Sequence, residues 1–554
     1  PVAHRKAKTA RSSSLTPMME QFYQLKAEAG SAVLFFRMGD FYEIFGDDAT
    51  TVAPLLDLVL TSREKGDQER IPFCGVPHHS ARNYWLKLLA MGYKIAIADQ
   101  TEDPATAKGL VKREIIRYVT PGCIDEIEGL DHDRPNYTMA VYEVPESRKL
   151  HLVLADISTG ELRHGLCQNI RELVRATHHF QPKEILVRKF FQPTLEQALA
   201  SYIADSKVLF EPLPEATLRD PKVQTKLVNR VFAPVTVKEL KKDGESLSLI
   251  AALLAHFEGL KHSLASFLTV KPLWTEDVMV IQDIAVRDLE LFETTQRRTK
   301  KGSLYHEINR TLTPMGARLL RHSMLNPLVQ AKQIRERHRT VRMLLQLEGS
   351  GLSRLREQLQ GMPDLTRLVA RIAAGRVTPR ELALTKQGLA GATRLLHQVE
   401  GLGKGIHKSK LLHETFQQLE KAEEPLTILE AALQDNPIAL SAGGEGIFKS
   451  GYHKKLDEKS ALSQSGQDKL TAYENQLRQE TGIQSLKVKN HKTFGLLIEI
   501  TKSNLAKVPD TFVRRQTMVN CERFVTDELR QLDEELSSAG MLAAQLETEL
   551  YEQL

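Results

Sequence analysis

Short apolar runs separated by amphipathic stretches fill the first 125 residues, a pattern typical of a mixed α/β domain. A helix is predicted to start at Thr16, because Thr is a favoured N-cap and Pro17 would occupy the first helical position. Gly39 and Asp40 interrupt an apolar run. The predicted elements are a helix over 16–28, a strand over 33–36, apolar segments over 41–45 and 71–76, a helix over 83–91 and a strand over 94–98.

The pattern from residue 126 to about 270 predicts a second compact domain of mixed α/β type. Its predicted strands are 137–142, 150–156 and one that starts within 157–162, with a turn over 143–149 and further alternation through 185–187. From about residue 247 the pattern changes to helix. The residues that fall on one helical face there are Leu247, Ile250, Leu254 and Phe257.

Long leucine-rich and charge-rich stretches predict helices through residues 280–440. Thr313 before Pro314 marks one helix start. Thr378 and Glu381 have the spacing of a capping box at another, in which each side chain accepts from the other residue's amide.

One β segment is predicted within this helical region. Apolar runs on both sides of a polar centre at 485–500 predict a hairpin, flanked by helices at 452–481 and after Arg514. Strands between long helices indicate a small tip domain on a stalk. The chain ends in a running helix without a stop signal, which favours truncation; its leucines recur at Leu542, Leu546, Leu550 and Leu554.

Composition excludes several classes of protein. The excess of 75 Lys and Arg over 70 Asp and Glu is too small to identify a nucleic-acid binder. Cys74, Cys123, Cys167 and Cys521 form no CxxC pair, which argues against a disulfide framework or zinc site and favours a reducing compartment. No apolar run is long enough to span a bilayer. Residues 1–14 are predicted to be a flexible basic tail, either without a role or contacting phosphate.

Several motifs occur in order along the chain. They are FFRMGDFYE at 35–43, PFCGVPHH at 72–79, QTEDP at 100–104, KGLVKRE at 108–114, TPG at 120–122, DISTGE at 156–161, TLTPMGAR at 311–318, and QT at 516–517 with NCERF at 520–524. Together they closely resemble the MutS family of mismatch-recognition proteins, over most of the chain from Thr16 onward. So many matches in the right order make coincidence very improbable.

This resemblance implies a multidomain α+β fold. It consists of a mixed α/β mismatch-reading domain, an RNase H-like α/β connector, and a long-helix core and lever with an inserted β-rich clamp. The expected boundaries are the flexible tail at 1–14, the mismatch-recognition domain at 15–125, the connector at 126–270, the core and lever at 271–448, the clamp at 449–512 and a returning helix at 513–554, truncated before the ATPase domain.

The first motif carries the implied mismatch-reading site. An aromatic ring can insert between base pairs only where stacking is already weak, as at a mismatch or unpaired base. The resemblance assigns this inserting ring, the wedge, to Phe41, and a hydrogen bond to the mispaired base to Glu43; Gly39 would let the backbone approach DNA. The alternative is that Phe41 belongs to an apolar core with Phe36 and Phe45. For Arg37, a local salt bridge and a phosphate contact both stay open.

The segment at 485–500 carries the implied backbone-binding site of the clamp. Alternation would place Lys487, Lys489 and His491 on one strand face, with Lys492 following, where they would contact phosphates without reading sequence. A merely solvated charged face is the alternative. The chain departs from the usual family pattern at 489–491 and at Leu496-Leu497.

Members of this family carry a C-terminal ATPase whose phosphate loop ends in Gly-Lys-Ser or Gly-Lys-Thr. The 554 residues contain no such loop, and the segment at 401–405 lacks its spacing and hydroxyl residue. The expectation is therefore no catalytic residue, no bound metal and no cofactor in this chain, with ATP and Mg²⁺ implied for the full-length protein. The resemblance also implies mismatched double-stranded DNA as ligand, a homodimer that is weak here, a MutL-type partner on the connector, no membrane association, and a bacterial cytoplasmic, nucleoid-associated location.

Two other functions stay open. One is a non-catalytic DNA-binding or interaction scaffold with a degenerate mismatch-reading domain, which would bind DNA by charge alone. The other is a metal-dependent nuclease in the 126–270 domain, for which Asp156 and Glu161 are the candidate acids, although no further carboxylates accompany them. His4, His78 and His79 have no accompanying metal ligands.

Overall fold

The computed structural model describes residues 16–65, 68–102, 109–124, 127–144, 148–264, 267, 269–347, 350–400, 409–442, 444–491, 495–518 and 520–554. The predicted basic tail at 1–14 lies outside this described part. The chain divides into two compact units. The first consists of Pro1–Val377 and Gln398–Glu414, and the second of Thr378–His397 and Thr415–Leu554.

A six-stranded sheet forms the N-terminal part of the first unit. Its strands are Val33–Met38 (β1), Phe41–Phe45 (β2), Thr61–Lys65 (β3), Gln68–Pro77 (β4), Ile95–Gln100 (β5) and Arg113–Val119 (β6), in the order β3-β4-β2-β1-β5-β6. The helices beside it are Pro17–Ala29 (α1), Gly46–Val52 (α2) and Ala81–Ala90 (α3). The predicted mixed α/β domain is confirmed, although the Thr16 side chain makes no capping hydrogen bond to α1.

Both faces of this sheet are covered at β1, which explains why the apolar run of that strand is unbroken. On one face the Phe36 ring packs edge-on against Phe22 and Phe45, with centroids 5.7 and 6.4 Å away. On the other face the Phe35 ring packs against Trp85 at 6.0 Å. Phe35 and Phe36 are fully buried, so β1 anchors the hairpin that it forms with β2.

A second six-stranded sheet follows in the first unit. Its strands are Thr138–Glu143 (β7), Leu150–Asp156 (β8), Glu161–Cys167 (β9), Glu184–Val187 (β10), Leu209–Pro212 (β11) and Thr269–Pro272 (β12), in the order β11-β10-β7-β8-β9-β12. Its helices are Ile170–Phe180 (α4), Gln192–Ala198 (α5), Ala200–Asp205 (α6), Glu215–Arg219 (α7), Pro221–Val231 (α8), Pro234–Leu240 (α9) and Gly244–Gly259 (α10). Antiparallel β7-β8-β9 with parallel neighbours at both ends agrees with the predicted second domain of mixed α/β type.

Helix α10 is buried on most sides and not on a single face. The four residues of the predicted apolar face are buried, and Leu249, Ala252 and Leu253 outside that face are fully buried as well. The helix is enclosed by the second sheet and by α7, α8 and α9, and a helix enclosed in this way is apolar all round. Asp243 caps its start by accepting from the Ser246 amide (3.1 Å).

Helices fill the rest of the first unit. They are Asp283–Asp288 (α11), Leu304–Ile308 (α12), Pro314–Leu325 (α13), Ala331–Leu345 (α14), Gly351–Leu359 (α15) and Leu365–Ala373 (α16). The predicted cap of α13 is confirmed, since the Thr313 hydroxyl accepts from the Gly316 amide (3.0 Å). Arg318 on α13 donates to both carboxylate oxygens of Asp364 at 2.6 and 2.7 Å, and this bidentate pair fixes α13 to the start of α16.

The second unit contains most of α17 (Pro379–Glu400) and part of α18 (Lys410–Glu420). Its other elements are Glu423–Ala432 (α19), Leu433–Ile438 (β13), Gly446–Phe448 (β14), Lys454–Thr481 (α20), Lys487–His491 (β15), Gly495–Thr501 (β16), Val513–Thr517 (β17), Cys521–Val525 (β18) and Asp527–Gln553 (α21). The capping box of α17 is confirmed by donation from the Thr378 amide to the Glu381 carboxylate (2.8 Å) and from the Glu381 amide to the Thr378 hydroxyl (3.3 Å). Among the described helices of the whole chain, none is both long and apolar enough to cross a bilayer.

The predicted hairpin of the second unit is present but belongs to a four-stranded sheet of order β15-β16-β18-β17. The prediction of a helix directly after Arg514 is wrong, because β17 and β18 come first and α21 starts only after Thr526. Phe524 on β18 pairs with Ile498 on β16, and both join the apolar core that the sheet shares with α20 and α21. This packing, which local propensity does not reveal, selects strand over helix.

Glu161 holds edge strand β12 of the second sheet in place. Its carboxylate accepts from Arg163 (2.5 Å), from Lys271 on β12 (2.8 Å) and from the Tyr137 hydroxyl (2.8 Å). Burial alone would raise the pKa of this carboxyl, but the charges and hydrogen bonds of Arg163 and Lys271 lower it from 4.5 to about 2. Folding therefore stabilises the ionised form of the Glu161 carboxyl relative to its protonated form.

We expect Glu161→Gln to destabilise the protein by up to about 3 kcal/mol at neutral pH. Because folding depresses this pKa, the contribution of Glu161 is complete above pH 4.5 and is lost as the pH falls towards 2. The difference in unfolding free energy between wild type and variant, measured by urea denaturation, should shrink over that range. Glu276→Gln, at an exposed residue outside any helix or strand, serves as a control. A difference that stays constant from pH 7 to pH 3 would contradict this assignment.

Candidate nucleic-acid interface

Phe41 begins β2 directly after a two-residue turn from β1. Gly39, at the first central position of this turn, has a φ of +57°, which favours glycine as in type II′ hairpin turns. Arg37 Nε donates to the Gly39 carbonyl (2.5 Å), and the His78 amide donates to the Asp40 carbonyl (2.8 Å). Hydrogen bonds from both flanking segments thus hold the turn. The positive φ by itself explains why residue 39 is glycine.

The Phe41 ring lies at the surface, with 47% of the residue exposed. Its neighbours in the same motif differ, since Phe36 and Phe45 are buried in the core. Strand β2 alternates, so that Tyr42 and Ile44 point into the opposite core while Phe41 points away from it. The structure therefore separates one exposed ring from the aromatic cluster in which the sequence could have placed it.

Glu43 is half-buried and lies on the same face of β2 as Phe41, two residues further on. Strand β4 runs antiparallel beside β2 and pairs Pro77 with Phe41 and Gly75 with Glu43. A Cβ atom at Gly75 would lie 3.6 Å from Glu43 Cγ and 3.8 Å from Phe41 Cδ1. The space at Gly75, which we call the notch, is therefore bordered by the side chains of both Phe41 and Glu43. We call the surface of Phe41, Glu43, Gly75 and Pro77 the β2–β4 face.

Tyr42 points to the opposite side of the sheet and holds β2 in place there. Its hydroxyl donates to the Asp99 carboxylate (2.8 Å) on β5, two strands away, and its ring packs against Phe35 and Trp85. Burial, followed by the adjacent Asp99 carboxylate, raises the pKa of the Tyr42 hydroxyl. The Arg37 guanidinium lies 5.4 Å from the centre of the Tyr42 ring, so Arg37 has local partners in the turn and in the ring.

The second predicted site lies on β15 of the four-stranded sheet. Lys487, Lys489 and His491 alternate along the strand, and Val488 between them packs towards the core. Lys487 and Lys489 are exposed, whereas His491 is half-buried. Lys492 lies outside the described residues. Phosphate contact by these side chains stays a prediction.

An ion-pair network on this sheet was not predicted. Glu499 on β16 accepts from Lys489 (2.6 Å) and from Arg523 on β18 (2.8 Å), and Arg523 also donates to Gln516 (2.8 Å). Hydrogen bonding to Lys489 outweighs burial and lowers the pKa of the Glu499 carboxyl. Part of the positive charge of β15 is therefore neutralised inside the sheet. The sequence gives no signal for this network, because only the strand register brings Lys489, Glu499 and Arg523 side by side.

The acids of the nuclease alternative have structural partners. Asp156 is fully buried and accepts from the Asn136 amide (3.0 Å) and from the Ser158 amide (2.9 Å). Glu161 is held by Arg163 and Lys271, as described above. These bonds use the carboxylate oxygens that a pair of catalytic metal ions would need.

Among the described residues, one group of His, Asp and Glu side chains has ligand atoms within 4.8 Å of one another, namely His151, Asp243 and Glu245. Asp243 already caps α10, and the positive end of the helix dipole disfavours a cation at that place. Helix capping is therefore the simpler explanation of this group.

Comparison with known proteins assigns two long segments of the chain to the same family. The family model of MutS domain I matches residues 16–128, and that of MutS domain III matches residues 284–554. DNA mismatch repair protein MutS of Caldanaerobacter subterraneus subsp. tengcongensis is 32% identical over 98% of this chain and 61% of its own length. The proteins of the same name from Oleidesulfovibrio alaskensis and Bacillus velezensis are 34% and 35% identical, over 99% and 97% of this chain and 61% and 60% of their own lengths. The chain thus spans about three fifths of the curated relatives that it matches.

An exposed ring should contribute little to folding. We therefore expect Phe41→Ala to change the unfolding free energy by less than about 1 kcal/mol, whereas Phe36→Ala, which empties a fully buried site, should cost about 3 to 5 kcal/mol. Urea denaturation of the two variants beside wild type measures both values. Equal losses for the two variants would show that Phe41 is part of the core.

Proposed function

Because this chain belongs to the MutS family of DNA mismatch repair proteins, we propose that it binds double-stranded DNA and recognises mismatches and small insertion or deletion loops. Insertion of the Phe41 ring at a weakened base step, with kinking of the duplex, is the proposed mechanism. The observation that carries it is an exposed aromatic ring on a turn held by hydrogen bonds from both sides.

The free energies involved explain why a mismatch would be required. Stacking the exposed half of the Phe41 ring on bases would bury roughly 100 Å² of apolar surface, worth about 2 to 3 kcal/mol. Opening a base step costs a few kcal/mol in intact duplex and less where pairing is already defective. The gain from the ring therefore approaches the cost only at a defective step.

Glu43 is the proposed contact to the displaced base. Its half-buried carboxylate lies on the same face as the Phe41 ring, so a base stacked on the ring would meet it edge-on. A carboxylate repels phosphates and accepts hydrogen bonds, so Glu43 favours a displaced base that offers a donor and disfavours intact duplex. Glu43 thus adds discrimination and not affinity.

The four-stranded sheet is the proposed backbone contact. Lys487 and Lys489 are exposed on its edge strand, and basic side chains of this kind bind phosphates without reading sequence. An ATP-dependent sliding clamp that uses ATP and Mg²⁺, a homodimer, a MutL-type partner on the connector and a cytoplasmic location belong to the same proposal for the whole protein.

The proposal is tested by comparing G·T-mismatched or one-base-loop duplex with homoduplex in fluorescence anisotropy at moderate salt. We expect at least about tenfold tighter binding to the defective duplexes, and Phe41→Ala should remove most of this preference, because each good base-specific contact is worth about 1 to 3 kcal/mol. Phe190→Ala, at another exposed ring, is the matched control. Equal wild-type affinity for all duplexes would favour a scaffold that binds DNA by charge alone. A mismatch preference that survives Phe41→Ala would show that Phe41 is not the wedge.

Glu499 should compete with DNA for Lys489 and Arg523. We expect Glu499→Gln to tighten binding to every duplex roughly twofold to fivefold and to steepen its salt dependence, while the mismatch preference stays the same. Binding isotherms at several salt concentrations measure all three quantities. Glu458→Gln, an exposed acid on α20, controls for net charge. An equal gain in this control, or weaker binding by Glu499→Gln, would contradict a competing role for Glu499.

A further inference from the structure

We propose that Gly75 is a specificity-determining residue, whose missing side chain leaves room for the displaced base between the Phe41 ring and the Glu43 carboxylate. This inference rests on the proposed function and extends it to a residue on a different strand. The supporting observations are the register of β4 on β2, the space around Gly75 and its backbone conformation.

The register places Gly75 directly beside Glu43 on the β2–β4 face, while Pro77 lies beside Phe41. Residues that face each other across an antiparallel pair point to the same side of the sheet. The side chain at position 75 would therefore project from the face that carries the Phe41 ring and Glu43. It would occupy the notch that a base must enter to reach both groups.

The backbone does not require glycine at this position. Gly75 is not among the glycines with a positive φ, in contrast to Gly39. A Cβ atom at Gly75 would meet the Tyr42 carbonyl oxygen at 3.5 Å, Glu43 Cγ at 3.6 Å and Phe41 Cδ1 at 3.8 Å, which are ordinary van der Waals distances. Alanine therefore fits the free protein, and neither strain nor a steric clash explains the glycine.

Glycine inside a strand even has a cost, because it loses more conformational freedom on folding than alanine does. A position that accepts alanine but holds glycine, and that adjoins two groups of a binding face, indicates that something approaches closely when the site is occupied. On the β2–β4 face that ligand is the base stacked on Phe41. A methyl group in the notch would hold its edge away from the Glu43 carboxylate.

The same geometry separates specificity from affinity. Homoduplex, in which no base enters the notch, would contact the phosphate-binding residues in the same way with alanine as with glycine at position 75. The substitution should therefore act on the ratio of affinities for defective and intact duplex, and not on binding to intact duplex.

The test compares wild type, Gly75→Ala and Gly75→Val with the matched control Gly259→Ala, whose Cβ position is open and remote from this face. Melting curves should show Gly75→Ala to be as stable as wild type or up to about a few degrees more stable. Anisotropy should show an unchanged affinity for homoduplex and a loss of mismatch preference of roughly tenfold, since one methyl-sized group in a fitted site has about that effect. Gly75→Val should lose more, and Gly259→Ala nothing.

Two outcomes overturn the inference for different reasons. If wild type prefers mismatched duplex and folded Gly75→Ala keeps the full preference, Gly75 has no part in recognition, while the proposed function stands. If wild type itself shows no preference, the proposed function fails and the role of Gly75 with it. A loss of stability in Gly75→Ala that matches its loss of binding would show a folding role instead.

Discussion

The proposed recognition site depends on one constraint, which is that the Phe41 ring stays exposed to water while hydrogen bonds and strand pairing hold its turn and strand in place. Exposing Phe41 forgoes the burial that Phe36 and Phe45 obtain a few residues away. Strand alternation turns Phe41 away from the core that Tyr42 and Ile44 occupy, and on its own face the ring lies outside the cluster that buries Phe36 and Phe45. Bonds from Arg37 and His78 hold the turn. The exposed Phe41 ring is thus apolar surface that a stacked base would cover.

In the proposed mechanism, affinity and discrimination depend on different elements of the chain. The β2–β4 face combines an apolar ring with a carboxylate, which suits rejection of intact duplex more than attraction to it. The basic side chains of β15 lie in the other unit, and there Glu499 offsets part of their charge. Moderate attraction to any duplex leaves room for a local contact to decide where binding is tight. The small net charge of +5 is consistent with this balance.

Local signals predicted the elements that depend on local chemistry. The Thr378–Glu381 capping box and the Thr313 cap are short-range bonds, and both helix starts lie where the residues indicated. The prediction of a helix after Arg514 was wrong because the segment forms strands. One of them is held by the pairing of Phe524 with Ile498, which exists only in the folded sheet. Likewise, the sequence motif pointed to Phe41 and Glu43, whereas Gly75 and Glu499 emerged only from strand register. Pairing across strands is the information that single-chain patterns lack.

Entry of the Phe41 ring into a weakened base step can be observed directly by 2-aminopurine fluorescence. The probe base is placed next to a G·T mismatch, and in a second duplex several base pairs away from it. At saturating protein we expect a clear fluorescence change for the adjacent probe, reporting its unstacking, and none for the distant probe or for homoduplex. Full occupancy of the mismatched duplex with no change at the adjacent probe would contradict insertion of Phe41.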